Sequence, residues 1–341
     1  MMPQPRDFPS ELSAEMAALS ARVLSEDGPQ PDATLMPSAD GRALVERNNA
    51  RWNQDLPPLA LRETVLVEAD PVLGSAPRKL EVLVPSHAGP GALIFVHGGG
   101  FCFCSPATHE RCARLLAIES GLPVLMPDYR LAPEDPFPAG LRDVIAALRN
   151  AFKATRHLGV EAGPLLISGD SAGANLALTA LLHEQAAGQP DIAGALLFYG
   201  TYGCDFDTPS YLKFAEGPGL TRAKMQRYWS AYAGNRDATT LAADVLASPL
   251  SASDEGLSRL PPLYLMAAGI DPLLSDTLRL EARLSALGRP ETTTIHPGVV
   301  HGFLQHSIDL EAAREALRLA GGQARRMAAK AWSNHLRRRK A

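Results

Sequence analysis

From about residue 61 the chain changes its pattern of apolar and polar positions. ETVLVEAD (63–70) alternates, and KLEVLVPS (79–86) reads as its neighbouring strand. Five short, solidly apolar runs follow: ALIFVHG (92–98), LPVLMPDY (122–129), PLLISGD (164–170), GALLFYG (194–200) and PLYLMAAG (262–269). A run of that length with no polar face suits a parallel strand buried on both sides. Helical patterning occupies 107–120, 138–154, 172–187, 275–287 and 309–331. Strand–helix alternation of this kind predicts an α/β fold with a mostly parallel central sheet flanked by helices.

Two segments stand outside that rhythm. Residues 10–25 and 39–52 have helical patterning, with Ser10 as the candidate N-cap of the first. Later, between the strands ending near Gly200 and beginning near Leu263, lies a long insertion that includes TYGCDFDTPSYLKFAEGPGLTRAKMQRYWSAYAG. An aromatic-rich insertion at the C-terminal edge of a strand is placed as a lid would be. No internal repeat or low-complexity tract interrupts the chain.

Composition narrows the class. With 46% hydrophobic and 21% charged residues, the chain is not disordered. Its 341 residues suit one large α/β domain or two smaller ones. A formal net charge of -4 implies no broad basic field for nucleic acid, and the basic end HLRRRKA reads as a solvated tail. The four cysteines, Cys102, Cys104, Cys112 and Cys204, form no C-x-x-C pair, and no metal site is expected. The first twenty residues carry no apolar signal core, and no run is long enough to span a membrane. A cytoplasmic location is the expectation.

The chemistry begins at GDSAG, Gly169 to Gly173. A serine two residues from a glycine on either side, between a strand and a helix, has the placement of a nucleophile elbow. The sharp turn strains the serine, and side chains at the flanking positions would strike neighbouring backbone. The following helix points its N-terminus at the serine and favours negative charge there. A glycine-bracketed turn with a capping serine would explain this motif alone equally well. FVHGGGF (95–101) weighs against that. His97-Gly98-Gly99-Gly100 follows a buried strand and exposes successive N–H groups, as an oxyanion hole requires.

A serine nucleophile needs a base. His301, in HPGVVHGF, lies on a loop before the last helix, with His296 as its rival. His97 is read as shaping the glycine loop. His87, His109, His157, His183, His306 and His335 lie in helical or surface contexts. The base needs an orienting acid. Asp271 falls just past the strand PLYLMAAG, and Asp276 is the alternative, read as a helix cap or surface charge. Asp170 is too constrained by the turn to reach the far ring nitrogen and is assigned a structural or electrostatic role. The order Ser171, Asp271, His301 is that of α/β-hydrolases.

Over roughly residues 60–310 the chain resembles the hormone-sensitive-lipase-like family of α/β-hydrolase esterases. The resemblance rests on HGGG, YRLAPE (129–134), GDSAG, DPLLSD and HGF (301–303). It implies a triad of Ser171, Asp271 and His301, and an oxyanion hole from the amides of Gly99, Gly100 and Ala172. His97, Gly98, Gly169, Asp170 and Gly173 complete those motifs. It implies short-chain acyl esters as substrates, no cofactor, and a possible homodimer through a sheet edge. It also implies a cap, giving the boundaries 1–55 and 203–247 for the cap and 56–202 with 248–341 for the catalytic domain. Three features depart from the family pattern: the stretch FCFCSPATHE after the glycines, Asp135, and Ala174. Amide, arylformamide or thioester cleavage would use the same acyl-serine. A non-catalytic ligand receptor on this fold would have lost the histidine that stands here at 301.

Overall fold

The computed structural model describes residues 11–189 and 192–338. Its centre is one eight-stranded sheet: β1 (Leu61–Val67), β2 (Arg78–Val84), β3 (Ala92–Val96), β4 (Val124–Pro127), β5 (Leu165–Asp170), β6 (Gly194–Phe198), β7 (Leu263–Ile270) and β8 (Thr293–Val300). The spatial order is β1-β2-β4-β3-β5-β6-β7-β8. β1 and β2 run antiparallel, and β2 meets β4 antiparallel; every other pairing is parallel. Every residue of β3, β4, β6 and β7 is buried, whereas edge strand β1 is largely exposed. That contrast explains why the inner strands read as unbroken apolar runs and β1 does not.

Successive side chains on these strands face opposite layers. Ile94, Val96, Ile167, Ala195 and Leu197 pack against α4 (Ala139–Thr155) and α5 (Ala172–Ala186). Leu93, Phe95, Leu166, Leu196 and Phe198 pack against α3 (Glu110–Ser120) and α11 (Glu311–Arg338). α5 is buried on nearly all sides, from Ala172 through Leu182, so it lacks an amphipathic stripe. Its alanines let it approach the sheet closely.

The outlying segments are also helical. α1 (Ala14–Asp27) and α2 (Ser38–Asn49) precede the sheet. Ser10 lies outside the described residues; the cap of α1 is Ser13, whose hydroxyl accepts from the Met16 amide. α6 (Pro209–Lys213), α7 (Arg222–Ala233) and α8 (Ala238–Ala243) form the insertion after β6, followed by α9 (Asp254–Ser258). α10 (Leu274–Ala286) joins β7 to β8. Arg227 on α7 reaches back to Asp32 at 2.6 Å and to the Thr34 hydroxyl at 2.6 Å, joining the two outlying segments.

Candidate active site

β5 ends at Asp170 and α5 begins at Ala172, leaving Ser171 alone on the turn with φ 55 and ψ -120. Few side-chain-bearing residues adopt such a backbone, and it aims the hydroxyl away from both elements. A methyl on Gly169 would lie 2.4 Å from the Gly173 carbonyl group. One on Gly173 would lie 2.0 Å from the Val96 carbonyl oxygen. The two glycines therefore let α5 sit against the ends of β3 and β5 with the serine at the crest.

Three side chains from three strand ends meet there. Asp271 follows β7 and is fully buried; His301 follows β8. Nδ1 of His301 lies 2.7 Å from Oδ2 of Asp271, and its Nε2 lies 2.9 Å from Oγ of Ser171. A carboxylate only accepts, so Nδ1 carries the proton and Nε2 of the neutral ring accepts from the hydroxyl. The other carboxylate oxygen of Asp271 accepts the Leu273 amide at 2.8 Å. Tyr199 packs edge-on against the His301 ring, with centroids 5.0 Å apart. His296 takes no part: its ring lies beside Phe303 at 5.3 Å, and burial lowers its pKa.

The glycine loop passes over the same turn. His97 is buried, stacks on Tyr129 at 4.3 Å, and sets its Nδ1 2.8 Å from the Gly98 carbonyl oxygen. Tyr129 in turn donates its hydroxyl to the His97 carbonyl at 2.8 Å. Burial pushes the His97 pKa down to about 3, so this ring is neutral at ordinary pH. The Gly98 amide donates to Asp170 at 2.8 Å. Among the described residues, the amides of Gly99, Gly100 and Ala172 have no hydrogen-bond partner. Ala172 is the first residue of its helix, where the N–H is free by construction. Free amides beside a buried serine can receive an oxyanion.

A model of the alpha/beta hydrolase fold matches residues 93–305, more than half the chain. The chain belongs to the alpha/beta hydrolase fold family. Among solved structures it is similar to a thermostable esterase from Pseudomonas putida, with 27% identity and a TM-score of 0.85, covering 94% of this chain and 98% of that one. It is also similar to an ester-hydrolase from the metagenome of Lake Arreo, with 30% identity and a TM-score of 0.83, covering 92% and 98%. A hyperthermophilic esterase from the archaeon Pyrobaculum calidifontis shows 27% identity and a TM-score of 0.82 over 93% and 99%.

Several residues of this alpha/beta hydrolase have places that the sequence did not reveal. His109, expected in a helical or surface context, does end a short 3-10 helix, but it is 3% exposed and sets its Nε2 3.3 Å from Asp170. Asp276, expected as a cap or surface charge, is 1% exposed and accepts the amides of Tyr202 and Gly203 at 2.7 and 3.2 Å. The reason is topological: the chain leaving β6 turns back across the start of α10. Asn175 on α5 donates to the carbonyls of Thr201 and Ala247 at 2.9 and 2.8 Å, clasping both ends of the insertion. Arg42 on α2 donates to the carbonyls of Cys102 and Ala132, both at 2.9 Å, which ties the N-terminal segment to the loop after the glycines.

Of the aromatic residues in the insertion, Tyr202, Tyr211, Phe214, Trp229 and Tyr232 are buried in packing. Tyr228 is different: its ring lies directly over Gly100, where an added methyl would come within 2.4 Å of it. Burial pushes the thiols of Cys102 and Cys104 up to about 12 and raises that of Cys112 well above its ordinary value, so none of the three offers a thiolate. Among the described residues, no cluster of three or more His, Cys, Asp or Glu could hold a metal ion, and no helix is long and apolar enough to cross a membrane.

Proposed function

We propose that this protein is a serine carboxylesterase of the hormone-sensitive-lipase-like group that hydrolyses short-chain acyl esters. The observation that carries the reading is the line from Ser171 through His301 to Asp271, with contacts of 2.9 and 2.7 Å. Ser171 attacks the ester carbonyl while Nε2 of His301 takes its proton. Asp271 holds the ring in the required tautomer and stabilises the imidazolium. The carbonyl oxygen becomes an oxyanion facing the amides of Gly99, Gly100 and Ala172. His301 returns the proton to the leaving alcohol, which departs and leaves an acyl-serine. Water then attacks with His301 again as base, and the acid is released.

The helices within 1–55 and 203–247 form a cap over the serine in this reading. Its support is the Arg227–Asp32 link and the position of Tyr228 over Gly100. Ser171 is only 6% exposed, which fits a serine lying beneath a cap, and the short-chain preference follows the family resemblance. The esterases of similar structure support the substrate class. The test is hydrolysis of a series from p-nitrophenyl acetate to p-nitrophenyl laurate by purified protein. The rate should peak at the short esters, and Ser171→Ala should lower kcat by about 10⁴-fold or more. Turnover retained by Ser171→Ala would sink the assignment.

A further inference from the structure

Both ends of the loop that carries the free glycine amides return to one buried carboxylate. At its start, the Gly98 amide donates to Oδ1 of Asp170 at 2.8 Å. Gly98 also rests on that residue, since an added methyl would lie 2.7 Å from Oδ2 and 2.9 Å from the Asp170 carbonyl oxygen. At its end, just before α3, His109 brings Nε2 to 3.3 Å from the same Oδ1. Asp170 and His109 are both buried, at 4% and 3% exposed. A carboxylate cannot donate, so Nε2 of His109 carries the proton between them. Nδ1 of His109 lies 2.8 Å from the Thr108 hydroxyl, which fixes the ring from its other side.

We propose that His109 is a positioning residue: it holds the Asp170 carboxylate against the Gly98 amide and so fixes the loop that presents the Gly99 and Gly100 amides. The inference rests on the esterase reading for its kinetic consequence, but the geometry is independent of it. Asp170 precedes Ser171 directly, so one carboxylate sets the register between nucleophile and oxyanion donors. Burial works to raise the Asp170 pKa, and His109, His301 and His97 outweigh it and hold it below the ordinary carboxylate value. Loss of the His109 contact would free the far end of the loop and leave a buried carboxylate short of a partner.

Two isosteres separate positioning from bulk structure. A glutamine amide nitrogen sits near the place of Nε2 and can still donate to Asp170; an asparagine reaches only the place of Nδ1, toward Thr108. His109→Gln should recover most of the activity. His109→Asn should lower kcat on p-nitrophenyl acetate by about tenfold or more at little-changed KM, short of the hundredfold or greater cost of deleting an oxyanion donor. A trifluoromethyl ketone, which forms a tetrahedral oxyanion on the serine, should lose affinity for the Asn variant by a similar factor. Amide hydrogen exchange across residues 98–104 should rise in His109→Asn and not in His109→Gln. Equal kcat and equal exchange in the two variants would overturn the inference. If the wild type does not turn over ester, the esterase reading fails, and the exchange measurement still decides the role of His109.

Discussion

The Tyr202 amide donates to Oδ2 of Asp276 at 2.7 Å, fastening the start of the insertion to a carboxyl that is 1% exposed. Burial raises the pKa of that carboxyl from 3.8 to about 7, although the amides of Tyr202 and Gly203 pull the other way. Between about pH 4 and pH 7 the folded protein therefore holds a proton that the unfolded chain has lost. The contribution of Asp276 to stability falls as pH rises through that window and levels off above it. Asp276→Asn removes the titration while keeping an acceptor for the amides. The melting temperature of this variant relative to wild type should rise from pH 5 to pH 8, by about 1–2 °C per kcal/mol for a chain of 341 residues. A difference independent of pH, followed by scanning calorimetry, would count against this account.

Gly100 and Tyr228 are in direct apposition, so Gly100→Ala should lower kcat sharply. Its methyl would lie 2.4 Å from the tyrosine ring at a residue with φ 60. Pairing it with Tyr228→Ala removes the collision and leaves only the backbone strain, about 1–2 kcal/mol. A double-mutant cycle on kcat should show the second change rescuing part of the first. Strict additivity would mean that the ring does not bear on the loop.

His301 and His296 can be separated by labelling. His301→Ala should block attachment of a fluorophosphonate probe to Ser171, because the hydroxyl loses the nitrogen 2.9 Å away. His296→Ala should label at nearly the wild-type rate, since that ring packs on Phe303 instead. Mass spectrometry of the modified peptide gives the rate for each.

Adjacent glycines on α11 should respond with opposite signs. A methyl on Gly321 would lie 2.3 Å from Cβ of Glu119, so Gly321→Ala should destabilise by roughly 1–3 kcal/mol through overpacking against α3. At Gly322 the nearest atom is 3.8 Å away, at the tip of Arg326. Gly322→Ala should stabilise by roughly 0.5–1 kcal/mol through helix propensity. Urea denaturation of the two variants reads both effects, and a shared sign would contradict the packing.

The sheet was legible because burial on both faces writes itself directly into the chain as short apolar runs, which β3, β5, β6 and β7 show most plainly. The serine turn was legible because glycine is the only residue that survives 2.0 Å from a carbonyl, as at Gly173. His109 and Asp276 were not. Their partners lie far along the chain, at Asp170 and Tyr202, and nothing local marks a side chain whose use depends on which loop lands on it. Asn175 was hidden for the same reason, since its immediate neighbours on the helix, from Ala172 to Leu178, are otherwise small or apolar. The strand order, with β4 between β2 and β3, also depends on crossovers that no single segment encodes.

The grip of Asn175 has an architectural consequence. One side-chain nitrogen bonds to the carbonyls of Thr201, just before the insertion, and Ala247, at its end, so the chain leaves and re-enters the body at almost the same point. A segment closed in this way behaves as a cassette. Its length can change at a loop-closure cost that grows only with the logarithm of the loop, provided that the buried residues of the insertion keep their packing. The two carbonyls that Asn175 holds can thus keep their places beside the serine turn while the segment between them changes. On the proposed function, substrate choice and catalytic machinery would then be separable parts of a single chain.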